Sequence, residues 1–144
     1  MNRFLPLFFF ISLLSLFLFW LLIGGSNENH SPLIGKSLPD YEIEFMGTSN
    51  SSLDDLMDRP GFKIINFWAS WCLPCLVEHP ILMALKGKEN LTIIGINYKD
   101  NKEDALEFLR EQGDPYDFIG IDKDGFFGIE MGITGVPETF IVDE

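Results

Sequence analysis

Cysteine is almost absent from this chain. Two of its 144 residues are cysteines, and both lie in the hexapeptide Trp71-Cys72-Leu73-Pro74-Cys75-Leu76. A structural disulfide stabilises mainly by closing a long loop of the unfolded chain, and cysteines three positions apart close almost nothing. A structural zinc site needs four ligands. The chain offers Cys72, Cys75 and His79, with its other histidine, His30, remote in a polar segment. Leu73-Pro74 between the cysteines suits a helix start better than a zinc loop. No metal and no cofactor are expected. Basic residues are also scarce, ten Lys and Arg against 22 Asp and Glu, for a formal net charge of −12. Nine of those ten and all the acidic residues follow residue 23. That balance argues against nucleic acid and anionic lipid surfaces as partners, and is compatible with a basic or unfolded polypeptide. No internal repeat is present.

Charge of either sign is missing from residues 4–23, "FLPLFFFISLLSLFLFWLLI". As a helix, 20 such residues span roughly 30 Å, the thickness of a bilayer's hydrocarbon core. No face is polar, which counts against a core helix of a soluble domain. The run is longer than the apolar core of a signal peptide and no A-x-A pattern follows it, so an uncleaved anchor over 1–23 is expected. A "GGS" follows, which keeps cleavage as the alternative. Arg3 precedes the run, whereas "SNENH" after it holds no Lys or Arg. Positive charge stays cytoplasmic, so the remainder should face outward, where disulfides persist.

Residues 24–38 are rich in Gly, Ser, Asn and Pro and read as a linker. From 39 to 144 the pattern alternates. "YEIEFM" (41–46) reads as a strand, "SSLDDLMDRPG" (51–61) as a capped helical turn, and "KIINFWA" (63–69) as a strand buried on both faces. A helix should start at the cysteines, with Pro74 in its first turn and Leu76, Val77, Ile81, Leu82 and Leu85 as its apolar stripe; Pro80 lies inside it. "LTIIGIN" (91–97) is a strand, "NKEDALEFLREQG" (101–113) a helix, "YDFIGID" (116–122) a strand, "GFFGIEMGI" (125–133) a short irregular helix and "ETFIVD" (138–143) the last strand. The alternation predicts an α/β domain on a mostly parallel sheet. A strand feeding a helix that opens with Cys-x-x-Cys has a physical use: free N–H groups and a partial positive charge at the helix N-terminus stabilise a thiolate.

"NFWASWCLPC" followed by Pro80 resembles the active-site strand and helix of the thioredoxin superfamily, and "GVPETF" (135–140) resembles its cis-proline loop. With "GINYKD" (95–100), these segments are similar to the membrane-anchored thiol:disulfide interchange proteins of cytochrome c maturation, the DsbE/CcmG type. Pro137 lies 65 residues after Cys72, which leaves room for the central insertion this group implies. The resemblance runs from about residue 33 to the end. It implies a thioredoxin-like fold in which a further strand and helix follow "GVPETF"; their lack here suggests a chain truncated at its C-terminus.

The resemblance also implies roles. Cys72 and Cys75 form the redox-active disulfide. Cys72, just before the helix, is the exposed nucleophile, and Cys75, one turn inside, is more buried and resolves the mixed disulfide. Pro137 is expected to be cis, leaving the Val136 backbone able to pair with a substrate strand; an ordinary turn proline is the alternative. Glu78 and Glu138 match acidic positions of the group and are expected to tune Cys75; otherwise they are a solvated helix charge and a surface strand charge. Asn66 stands where thioredoxin has a buried acid, so that relay role is lost or moved to Glu78, unless Asn66 is only a hydrogen-bonded amide. Trp71 belongs to the substrate-facing surface and Trp68 to the core. The implied activity is reduction of the haem-attachment cysteines of apocytochrome c, or of another haem-assembly thiol protein, by an inner-membrane protein facing the periplasm. A membrane-embedded thiol carrier would supply the electrons. A general extracytoplasmic disulfide reductase or oxidant, and a thiol peroxidase, are the alternatives.

Overall fold

The computed structural model describes residues 4–23, 33, 35–47 and 52–143. Most of the expected linker, 24–32 and 34, lies outside the described residues. The chain divides into two units, 1–30 and 31–144. In the first, helix α1 covers Leu5–Ile23, and its span Leu5–Leu22 has a mean hydropathy of 2.5. By length and composition it can cross a membrane.

The second unit contains β1 (Glu44–Phe45), α2 (Leu53–Met57), β2 (Phe62–Trp68), α3 (Leu73–Leu85), β3 (Leu91–Tyr98), α4 (Lys102–Gln112), β4 (Phe118–Asp122), α5 (Phe126–Glu130) and β5 (Glu138–Val142). One sheet runs in the order β1-β4-β3-β2-β5. The parallel part is β2, β3 and β4, the three strands separated by helices, as a crossover connection requires. β1 pairs antiparallel with β4, and β5 antiparallel with β2, so the sheet is mixed and not mostly parallel. The strand expected over 41–46 shortens to two residues, because only Glu44 and Phe45 find ladder partners.

β2 is central and is buried at every position after Phe62, the reason its sequence is an almost unbroken apolar run. Its side chains alternate between two cores. Ile64 and Trp68 join Cys72, Cys75, Leu82, Ala105, Leu109 and Tyr116 on one face. Ile65 and Phe67 join Leu56, Ile94, Ile96, Phe127 and Met131 on the other. The first core lies under α3 and α4 and contains both cysteines.

Two local devices hold the loops around these cores. Ser52 caps α2, its hydroxyl accepting from the Asp55 N–H while its own N–H donates to the Asp55 carboxylate, each at 3.1 Å. Asp122, buried at the end of β4, accepts the N–H groups of Phe127 (3.2 Å) and Gly128 (2.8 Å), and so fixes α5.

Candidate active site

β2 delivers the chain straight to the cysteines. After Trp68 the backbone turns through Ala69-Ser70-Trp71, and Cys72 becomes the N-cap of α3. Its Sγ accepts the N–H of Cys75 at 3.1 Å, one of the donors that a helix start leaves free. Pro74 falls in the first turn, where a missing N–H costs nothing. Cys72 and Cys75 are joined as a disulfide, with their Cα atoms 5.3 Å apart. The expectation that Cys72 is the more exposed of the two does not hold in this oxidised state. Their exposures are 3 % and 5 %, because the S–S bond and the N–H contact turn the Cys72 sulfur back over the helix end.

α3 buries Cys75, His79 and Leu82, spaced one helical turn at a time. The expected apolar stripe is therefore only partly inward. Val77 and Ile81 face solvent and, with Leu73, Pro74 and Glu78, line an open apolar hollow of about 480 Å³. Trp71, 60 % exposed, extends the apolar surface next to Cys72. His79 is held inside by its Nε2–H, which donates to the Gly113 carbonyl at 2.9 Å, and by the edge-on ring of Phe108.

The segment Asn97-Tyr98-Lys99-Asp100-Asn101 wraps the turn before the cysteines. The Asp100 carboxylate accepts four hydrogen bonds, from the Ser70 N–H (2.6 Å), the Ser70 hydroxyl (2.8 Å), Asn97 Nδ2 (2.8 Å) and the Asn101 N–H (2.8 Å). The Lys99 carbonyl accepts the Trp71 indole N–H at 3.1 Å. Lys99 has a φ of +48°, a left-handed backbone that points its carbonyl at Trp71. The role of this segment was not derivable from spacing; the structure makes it a clamp on Ser70 and Trp71.

From the other side comes β5. The Val136-Pro137 peptide is cis, and Pro137 lines a closed crevice with Asn66, Trp68, Cys75, Glu78, His79 and Tyr116. Four of the sequence-selected residues thus meet: Cys75, Glu78, Asn66 and Pro137. Val136 packs against the same core. Glu138 does not join them. It registers with Phe67, whereas Thr139 registers with Asn66, and strand alternation sends Glu138 to the opposite face of the sheet. Its carboxylate accepts the Thr134 N–H at 3.1 Å. A direct influence of Glu138 on Cys75 is therefore not supported by its placement.

The Asn66 amide is bonded at both ends. Tyr116 donates its hydroxyl to Asn66 Oδ1 at 2.8 Å, and Asn66 Nδ2 donates to Thr139 Oγ1 at 2.9 Å. Thr139 in turn donates to Glu78 Oε1 at 3.0 Å. Burial first, then the charges of Glu78 and Asp114, push the Tyr116 phenol well above its ordinary pKa, so it stays a hydroxyl donor. Tyr116, Thr139 and Asp100 are not singled out by the sequence as site residues, and His79 is singled out there only as a possible metal ligand. The single signal in the sequence was a polar group placed among apolar strand residues, as with Tyr116 opening "YDFIGID".

The Redoxin family model matches residues 33–144. The chain belongs to the Redoxin family. Within it, the chain is 40 % identical over 141 residues to the thiol:disulfide interchange protein HelX of Rhodobacter capsulatus, covering 97 % of this chain and 79 % of that protein. It is 35 % identical to the thiol:disulfide interchange protein DsbE of Yersinia pestis, covering 97 % and 77 %. The thioredoxin domain of a thiol-disulfide oxidoreductase from Bacteroides vulgatus superposes with a TM-score of 0.62 over 76 % of this chain and 80 % of that one, at 22 % identity. That last match shows the thioredoxin-like fold. A Redoxin-family chain of the DsbE/HelX kind with a Cys-x-x-Cys pair is a thiol-disulfide oxidoreductase, and the structure presents its oxidised form.

Proposed function

We propose that this chain is a membrane-anchored, periplasm-facing reductant of protein disulfides, whose substrate is the haem-attachment cysteine pair of apocytochrome c or of another haem-assembly thiol protein. The observation that carries the reading is the disulfide at the N-terminus of α3 beside the Val136-Pro137 loop, in a chain that begins with an apolar helix. Residues 1–23 act as the anchor in the inner membrane, 24–38 as a linker and 39–144 as the catalytic domain. A thiol carrier embedded in the same membrane returns the electrons.

The chemistry is thiol-disulfide exchange. The Cys72 thiolate, favoured by the helix N-terminus, attacks one sulfur of the substrate disulfide; that S–S bond breaks and a substrate thiolate leaves and takes a proton. The Cys75 thiol then loses its proton and attacks Cys72 Sγ. The mixed disulfide breaks, the second substrate sulfur leaves as a thiol, and the Cys72–Cys75 bond forms. The substrate gains two electrons and two protons, which the enzyme dithiol has lost. Trp71, Leu73 and Val77 supply an apolar surface around Cys72 for the substrate, and the Val136 backbone offers an extended edge to it.

The test uses Cys75→Ser and an oxidised peptide carrying a Cys-x-x-Cys-His sequence. A mixed disulfide should accumulate through Cys72, dissolve on addition of a thiol, and be absent when Cys72 is also replaced. Turnover of hydrogen peroxide that survives Cys75→Ser would instead indicate a peroxidase. A couple more oxidising than glutathione would rule out the reductant direction.

A further inference from the structure

The four-residue chain Tyr116–Asn66–Thr139–Glu78 has one sense from end to end. A carboxylate can only accept, so Thr139 must spend its single proton on Glu78. Its oxygen is then free to accept from the Asn66 amide nitrogen, which turns the Asn66 carbonyl toward Tyr116. The far end is rigid. Tyr116 lies flat against the bare backbone of Gly95, where an added Cβ would fall 2.6 Å from its ring, and it stacks on Trp68 with centroids 5.4 Å apart. The near end is not rigid by itself, since Glu78 is a half-buried side chain on α3 at the rim of the crevice that holds Cys75. Glu78 and Cys75 border that same crevice, one helical turn apart on α3.

We propose that Thr139 and Tyr116 are positioning residues that act through Asn66 to hold the Glu78 carboxylate at the Cys75 crevice, where it receives the Cys75 proton in the resolving step. The proposal rests on the reading of the chain as a thiol-disulfide oxidoreductase. In that step the Cys75 S–H proton passes to a Glu78 oxygen, the thiolate attacks Cys72 Sγ, and the substrate sulfur departs with the electron pair of the bond it loses. The role stands in place of the buried acid that Asn66 cannot supply: the proton acceptor lies on the helix, and the strand amide aims it. Besides Cys75, three titratable groups border this crevice, Glu78 and His79 from α3 and Tyr116 before β4; β2, α4 and the Pro137 loop present Asn66, Trp68, Phe108 and Pro137, none of which titrates.

The experiment titrates the Cys75 thiol by thiolate absorbance, in the full chain in detergent micelles with Cys72→Ala. A nearby carboxylate raises a thiol's midpoint. Glu78→Gln should therefore lower it, and Thr139→Val should lower it in the same direction by about half a pH unit, the size of a carboxylate's displacement by a few ångströms. Thr139→Ser should restore the unsubstituted value, and Tyr116→Phe should give a smaller shift of the same sign. In the Glu78→Gln background Thr139→Val should add nothing, since both act on one interaction. The proposal is overturned if Thr139→Val and Tyr116→Phe change the melting temperature but leave the titration in place, or if Glu78→Gln itself leaves it in place. Exchange by the unsubstituted chain with the oxidised peptide is measured separately, and its absence refutes the proposed function whatever the titration shows.

Discussion

Asp100→Asn isolates the clamp that the Asn97–Asn101 segment places on the active-site turn. The carboxylate accepts two donors at each oxygen, Ser70 N–H and Asn97 Nδ2 at one, the Ser70 hydroxyl and Asn101 N–H at the other. An amide of the same shape has one oxygen. Its best placement keeps Ser70 N–H and Asn97 Nδ2 on that oxygen and puts the NH2 where the other oxygen was. The Ser70 hydroxyl can turn and accept from it. The Asn101 N–H cannot, so two donors are left facing each other. The remaining contacts lose the charge that made them strong. A hydrogen bond to a charged group contributes about 1.5–3 kcal/mol, and one lost outright with others weakened totals about 3 kcal/mol in this half-buried setting.

A loss of that size should lower the melting temperature of the domain by about 10 °C or more. Near-ultraviolet circular dichroism of the full chain in detergent is the assay, because it follows the packed aromatic rings of the domain and not the helical signal of α1. Asp100→Ala separates charge from geometry. It removes the opposed donors, but leaves Asn97, whose buried Oδ1 already has no partner among the described residues, without a partner for its Nδ2 as well. Both variants should be clearly destabilised. A melting temperature for Asp100→Asn within about 2 °C of the unsubstituted chain would refute the clamp, since it would mean that water or a shifted loop replaces these contacts freely.

Val77→Glu should leave stability nearly unchanged, because Val77 is exposed, yet slow reduction of a protein disulfide about tenfold relative to a small disulfide such as oxidised glutathione, by removing apolar area that a polypeptide would cover. Gly95→Ala should destabilise by about 1–3 kcal/mol in a urea titration, because the new methyl meets the Tyr116 ring and that ring is pinned against Trp68. Ser52→Ala tests the α2 cap: hydrogen bonds from Ser52 hold the Asp55 carboxyl below its ordinary pKa, so the cap's contribution is fully present above about pH 4 and is lost as pH falls through the lowered folded value. The melting difference between Ser52→Ala and the unsubstituted chain should therefore be constant at neutral pH and shrink in acid.

The α/β alternation and the helix start at the cysteines were legible because both are local. An unbroken apolar run between turn signals gives β2, and a proline one step inside a helix gives the first turn of α3. The inner face of α3 was legible only in part, at Leu82 and Leu85. Its apolar residues Val77 and Ile81 point outward beside the disulfide, while the buried position between them is taken by His79, whose partner Gly113 is 34 residues away. An apolar stripe predicts the core only when no other surface wants it. Glu138, expected near Cys75 from its match to an acidic position of the group, is placed on the other face of β5 from Thr139, because adjacent residues of a strand face opposite ways. The bonds from Ser70 to Asp100 and the Tyr116–Asn66–Thr139 links span 30 to 73 residues, and no local pattern encodes such pairings.

Sheet register is therefore what assembles this site. β2 ends in the cysteines, and each of its neighbours brings one polar device to them: β3 ends in the Asp100 clamp, and β5 carries Thr139 opposite Asn66. β5 is antiparallel to β2, so its register is set after the chain has left α5, by the loop that holds Val136-Pro137. Moving β5 by one residue would exchange the two faces of the strand, putting Glu138 against Asn66 and Thr139 against Ile65. A second carboxylate would then enter the crevice beside Glu78 and Cys75, and the hydroxyl that links Asn66 to Glu78 would leave it. Phe140, packed at 6.1 Å from Phe67 in the opposite core, resists that slip because it too would have to change faces. The apolar side of β5 thus fixes the polar side, and the position of Glu78 depends on a packing contact it never touches.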